Sequence, residues 1–160
     1  MGWLGRSGDH HVMTMSNITV HSNYAETGGG VRVKVASLAI TNSAVHHNVA
    51  SWSGGGLQGD LGANVSISNS TIYGNFANQA GGGVMVSSGL LAVADGSRIR
   101  HNRVMNGWGG GVLVTDIALL TISNGCSIVN NTGTGGAGGG IAVGYVFELQ
   151  GLQFGSMGRL

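Results

Sequence analysis

Two apolar columns, one residue apart, return along the chain at a nearly constant interval. The first runs Met13, Leu38, Val65, Leu91 and Leu120, and the second Met15, Ile40, Ile67, Val93 and Ile122. A third runs Val20, Val45, Ile72, Ile99 and Ile128, each placed three residues before an asparagine: Asn23, Asn48, Asn75, Asn102 and Asn131. A glycine triplet followed by an aliphatic residue keeps the same beat, starting at Gly28, Gly54, Gly81, Gly109 and Gly138, in steps of 26, 27, 28 and 29 residues. Alternation with period two predicts β-strands with one buried face, and no window sustains the i, i+3, i+4, i+7 spacing of an amphipathic helix. One coil cannot bury its own apolar face, so neighbouring coils must stack at about 4.8 Å. The prediction is an all-β, right-handed parallel β-helix of about five coils of 26–29 residues, with three short strands per coil.

The repeated polar and glycine positions have mechanical readings in such a stack. The glycines serve corners where the backbone turns sharply, and a side chain there would collide with the next coil. The asparagines are expected to adopt left-handed backbone geometry and to bond through stacked amides. Cys126 falls in a column with Ser43, Ser70 and Ser97 and reads as a small residue in a tight stack. The boundaries predicted are an N-terminal extension over 1–11, β-helix repeats over 12–144, and an incomplete sixth coil or tail over 145–160. Leu149 to Phe154 would start that coil. No capping helix is visible, so further coils in a longer chain, or end-to-end association, are expected.

Composition narrows the class. Glycine takes 32 of 160 positions, proline none and charged residues 8%, while apolar residues reach 42%. Disorder requires low hydrophobicity with high charge, and collagen requires proline in a strict triplet, so both are excluded. A net charge of +1, with seven basic residues read as scattered, argues against nucleic acid as a partner. The single cysteine excludes an internal disulfide. No apolar run is long enough to span a membrane, and Met1 to Arg6 lacks a signal-peptide core, so any export signal would lie upstream of this segment.

The unit aliphatic-x-x-Asn-x-Ala, running into Gly-Gly-Gly-aliphatic, resembles the paired repeat of the chlamydial polymorphic outer membrane proteins. There a Phe-x-x-Asn motif precedes Gly-Gly-Ala-aliphatic. The best copies are Val20–Ala25, Val45–Ala50 and Ile72–Ala77; Val or Ile replaces Phe, and the fourth and fifth copies lose the Ala at Val104 and Gly133. More broadly the chain is similar to pectin-lyase-like β-helices over about residues 13–143. The resemblance implies a β-helical passenger or adhesin that is extracellular or on the cell surface.

Candidate chemistry is sparse. The acidic residues are Asp9, Glu26, Asp60, Asp95, Asp116 and Glu148. Asp60 and Asp116 fall on similar sides two coils apart, with Ser87 between them and no basic residue read in register, so no catalytic residue is assigned. His21 and His46 share one column and His47 and His101 the next, which could hold a metal, but Tyr73, Arg100 and Val129 continue the first as a variable outward column would. His10–His11 has no partner readable from sequence. Gly133 to Gly138 matches G-x-G-x-x-G but runs into a strand rather than a helix, so it reads as corner glycine. Sequons stand at Asn17, Asn64, Asn69 and Asn130. No metal or cofactor is assigned.

One face is expected to be flat. Thr14, Ala39, Ser66, Ala92 and Thr121 point outward between the apolar columns, and Ser16, Thr41, Ser68, Ala94 and Ser123 form the next column. Such a face suits docking, a flat ligand or ice. The strand after the glycines points Arg32, Gln58, Met85, Leu113 and Ala142 outward, a mixed column suited to a ligand groove. The first reading is a non-catalytic scaffold segment of a surface or secreted protein: a stalk, an adhesin-like passenger or a binding scaffold. Its partner would be a polysaccharide or another protein surface. The alternatives are a piece of a carbohydrate-active enzyme with its active site elsewhere, and ice binding through the small-residue face.

Overall fold

The computed structural model describes residues 11–144. Among them the chain winds through five coils, each contributing one strand to each of four five-stranded parallel sheets, with no helix. In the first coil the strands are His11–Ser16, Thr19–His21, Tyr24–Thr27 and Val31–Lys34, defining sheets A, B, C and D in that order. Every strand pairs with its counterpart one coil away, in parallel. The coil count and the parallel register are as the repeat predicts.

The three-strand coil is corrected to four. The strand the pattern does not reveal is sheet C, which in the third coil is only Phe76–Ala77. Its inward column is Ala25, Ala50, Ala77, Val104 and Gly133. One small inward residue per coil leaves no alternation to detect.

Four corners close each full coil, and each uses a residue with positive φ. Between sheets A and B stand Asn17, Asn42, Asn69, Asp95 and Asn124, with φ from 44° to 56°. Asn and Asp tolerate this region because their side chains bond locally. Between C and D the first glycine of each triplet turns, as Gly54 does at φ 65°. Val35 and Leu61 turn between D and A at φ 51° and 55°, in a region costly for β-branched and for bulky side chains.

The core is the set of inward columns. Leu38, Ile40, Val45, Leu57, Ile67, Ile72, Leu91 and Ile99 are all at most 1% exposed. The same columns open at the ends of the described stack, where Met13 is 47% and Val143 74% exposed. Burial of an interior residue therefore depends on a coil on each side, and each such side chain contributes about 1.5–3 kcal/mol.

Two buried polar columns brace this core. Asn48, Asn75 and Asn102 are buried between sheets B and C. The Asn75 Oδ1 accepts from the Asn48 backbone N–H and from Asn48 Nδ2, at 3.0 and 3.1 Å. Its Nδ2 donates to Val45 O and to Asn102 Oδ1, at 3.0 Å each. All four bonds open to an amide are made. The left-handed geometry expected at these asparagines belongs instead to the preceding residue: Ser22, His47, Gly74, His101 and Asn130 have φ from 52° to 62°. At the A–B corner Ser70 Oγ accepts from Ser43 N–H and donates to Ser68 O. Cys126 continues this serine column and packs partly buried against the core.

Candidate functional site

Between the ladder asparagine and the first glycine of the triplet, the intervening chain lengthens along the stack. It is four residues in the first coil (24–27), five in the second and third, and six in the fourth and fifth (103–108 and 132–137). The register of sheet C breaks between Ala25 and Thr27, where the second coil carries one residue more than the first, and again between Val104 and Gly107. The lengthened segments form one wall beside the outward face of sheet D, and a groove of about 380 Å³ lies between them.

Trp52 and Trp108 stand at the groove, 56% and 46% exposed, while Met85 and Leu113 form an apolar floor. Gln79 and Asn106 add amides. Thr115, only 3% exposed, also lines the groove, and its Oγ1 is buried without any hydrogen-bond partner. Trp108 is seated by glycine: a Cβ on Gly136 would overlap its indole Cδ1. None of the described residues that line the groove is charged, so recognition by them falls to stacking, apolar contact and neutral hydrogen bonds.

The mixed column Arg32, Gln58, Met85, Leu113, Ala142 keeps the predicted register. It is not uniformly solvated, because Gln58 and Leu113 are buried to 5% and 2% exposure. In the second coil a polar chain closes over the sheet. Ser53 Oγ donates to Gln58 Oε1, Gln58 Nε2 to Asp60 Oδ1, and Arg32 Nε and Nη2 to Asp60 Oδ2, all at 2.8–2.9 Å. Where that chain stops, the open apolar groove begins. The indoles were missed because Trp52 and Trp108 share no column: Ser53 and Trp108 are the residues that bracket Ala80. The growing segment length was the readable clue.

Two expectations about charge are corrected. Lys34 is in register with Asp60, and Arg32 pairs with it, so basic residues do stand beside that carboxylate. Nor are the basic residues scattered, since Arg98, Arg100 and Arg103 fall on one corner of the fourth coil. Asp116 accepts from Ser87 Oγ, and Asp95 from Ser68 Oγ and Asn124 Nδ2, two bonds that hold its carboxyl below the usual range. Each of these three carboxylates is thus engaged separately. Asp9, His10 and Glu148 lie outside the described residues, as does the sixth coil.

The histidines do share columns. His21 and His46 stack at 5.1 Å, His46 stacks on Tyr73 at 4.6 Å, and Arg100 lies 4.8 Å over the Tyr73 ring. His46 Nδ1 meets His47 Nδ1 at 2.7 Å. His47 and His101 are separated by Gly74. Among the described residues no three His, Cys, Asp or Glu side chains are placed to hold a metal ion.

Partial burial, then charge on His47 and His21, holds the His46 imidazole below its ordinary pKa of 6.5. The unfolded chain therefore takes up a proton where the folded one resists it. Stability is full above that ordinary value and falls as pH drops through the window beneath it. Denaturation midpoints followed from about pH 7.5 to about pH 5 should decline, and His46→Gln should flatten the decline. An unchanged slope in that variant would remove His46 as its cause.

Nine of the ten small-residue positions pair in two adjacent columns along sheet A, and Ser123 follows its last strand, Leu119–Ile122. Hydroxyls alternate with methyls in the first column, and Ser68 is bonded to Asp95. Beside them runs Ser37, Asn64, Leu90 and Leu119. A shallower depression of about 550 Å³, lined by Asn17, Asn42 and Asn69, marks the A–B corner. There Asn69 Nδ2 donates to Asn42 Oδ1, and neither indoles nor an orphaned group is present.

Stacked parallel coils with inward aliphatic columns and an internal asparagine ladder define a β-solenoid. Over residues 5–148 the chain matches the family described as the right-handed β-helix region, and it belongs to that family. Neither a curated protein nor a solved structure matches it. Among the described residues no helix is long and apolar enough to cross a membrane.

Proposed function

We propose that this chain is a non-catalytic β-helical binding scaffold of a surface or secreted protein, and that its sheet D groove seats the rings of an uncharged polysaccharide. The carrying observation is the Thr115 hydroxyl, buried on the groove floor with no partner, near two exposed indoles. An orphaned buried hydroxyl costs about 1–3 kcal/mol, a cost that a ligand hydroxyl bonded to it would relieve. Indole faces suit the apolar C–H face of a pyranose, and Gln79 and Asn106 can bond its hydroxyls. The separate engagement of Asp60, Asp95 and Asp116 favours binding over hydrolysis, because glycoside cleavage uses a facing pair of carboxyl groups. The likeness to polymorphic outer membrane protein repeats supports the surface role.

Retention on neutral and acidic polysaccharides, read together with released chain ends, tests the reading. Trp108→Ala should weaken retention on the neutral polysaccharide about tenfold, or ~1.4 kcal/mol. Thr115→Val should weaken that retention while raising the unfolding midpoint, because it removes the orphan. Released chain ends would overturn the non-catalytic reading. Neutral-polysaccharide retention indifferent to both substitutions would overturn the groove.

A further inference from the structure

On the corner between sheets B and C, the fourth coil carries the strands Arg98–Arg100 and Arg103–Gly107. Arg98 and Arg100 alternate with buried Ile99, so both point outward, and Arg103 lies in the outward column of sheet C, in register with Phe76. His101 occupies the corner between them at φ 53°. Among the described residues none of the three guanidinium groups has a carboxylate partner, and the one ion pair there joins Arg32 to Asp60. The acidic residue closest in sequence, Asp95, is bonded to Ser68 and Asn124. The column also has a direction: Arg100 over Tyr73, then His46, then His21, one residue per coil along the axis. Arg100 Nη1 further contacts His101 Nδ1 at 3.4 Å.

We infer that this corner is a second binding site, separate from the groove, that takes a carboxylate-bearing polysaccharide lying along the solenoid axis. Guanidinium forks pair with carboxylates in bidentate geometry, and three unpartnered forks on one corner leave positive charge without internal compensation. The stacked rings of Tyr73, His46 and His21 continue the site from Arg100 toward the first coil, and no acidic side chain stands in that column. A single-stranded nucleic acid fits less well, because it needs free ring faces for its bases. Here the Tyr73 faces are covered by His46 and Arg100, and His46 is stacked on both sides.

The test uses the whole chain with polygalacturonate as probe, dextran as the neutral control and single-stranded DNA as the competing polyanion. Polygalacturonate should bind more weakly as salt rises. Each of Arg98→Ala, Arg100→Ala and Arg103→Ala should weaken binding about tenfold. Arg100→Lys, which keeps the charge and loses the fork, should fall between wild type and alanine. Trp108→Ala should leave polygalacturonate binding unchanged, so failure of this site and failure of the groove are read separately. Wild-type affinity in the triple alanine variant would overturn the proposal. Tighter binding of DNA than of polygalacturonate, lost in the same variant, would overturn it in favour of a nucleic acid.

Discussion

Asn75→Leu is expected to remove about 4 kcal/mol or more of stability, although leucine has the same number and branching of side-chain heavy atoms as asparagine and is more apolar. The Asn48 backbone N–H and one Asn48 amide proton lose their acceptor, and Val45 O loses its donor. Each group stays buried, and an orphaned buried polar group costs about 1–3 kcal/mol. Asn102 Oδ1 keeps the bond from the residue 75 backbone N–H, so the damage points toward the second coil. Asn23→Leu is the internal comparison. Asn23 donates from Nδ2 to Asn48 Oδ1, but it is solvent-exposed, so water replaces the lost bond and the cost should stay under about 1 kcal/mol. Urea midpoints of the two variants, with hydrogen exchange at Asn48 and Val49, would measure the difference. Equal midpoints would mean that the amide column is decoration on an apolar stack.

Gly55→Ala should be at least as damaging. A Cβ at Gly55 would lie 2.5 Å from Phe76 O and closer still to Gly82 O, both backbone atoms of the third coil. Coil spacing is fixed by the hydrogen bonds Gly55 N–H to Gly81 O and Gly56 N–H to Gly83 O, at 3.0 and 2.9 Å, so the neighbour cannot retreat. Separating two coils locally would expose Leu57 and Val84, and a loss of more than about 4 kcal/mol, or failure to fold, is expected. Gly96→Ala separates space from conformation: its Cβ would meet nothing within 4 Å, but its φ is 71°. Only backbone strain remains there, about 1–3 kcal/mol. The neighbouring Gly54 turns at φ 65°, while a Cβ on Gly56 would meet the next coil's Gly83 O at 2.6 Å and the Asn75 amide at 2.8 Å. A folded Gly55→Ala protein with a midpoint near wild type would show that the coils can part without penalty.

These two variants bear on the candidate sites as well. The groove wall begins where the asparagine column ends and finishes where the glycine triplet starts. A defect in either column should therefore loosen Trp52 and Trp108 before it unfolds sheet A. Tryptophan fluorescence would then shift ahead of the loss of far-ultraviolet β signal in the Asn75 variant.

The fold was legible because a solenoid writes its contacts into its period. Val65 pairs with Leu38 on one side and Leu91 on the other for the same reason that each stands about one repeat from the next, so column alignment in one dimension is contact in three. Sheet C escaped this logic, because a two-residue strand with one inward alanine leaves no alternation. The site escaped it more completely. Trp52, Trp108 and Thr115 sit in different columns on different sheets, and only the outward bow of the lengthened segments brings them to one groove. The Arg98–Arg103 cluster was present in the sequence, but its meaning depended on seeing that no carboxylate among the described residues reaches it.

What the sequence by itself determined is the repeat: the inward aliphatic columns, the glycine triplets and the buried asparagines, whose roles follow from alternation and from identical neighbours above and below. What only the tertiary structure decided is where the non-repeating side chains meet. A groove and a charged corner are built from departures from the period, and the distance between two departures depends on the path of the backbone around each corner rather than on residue type.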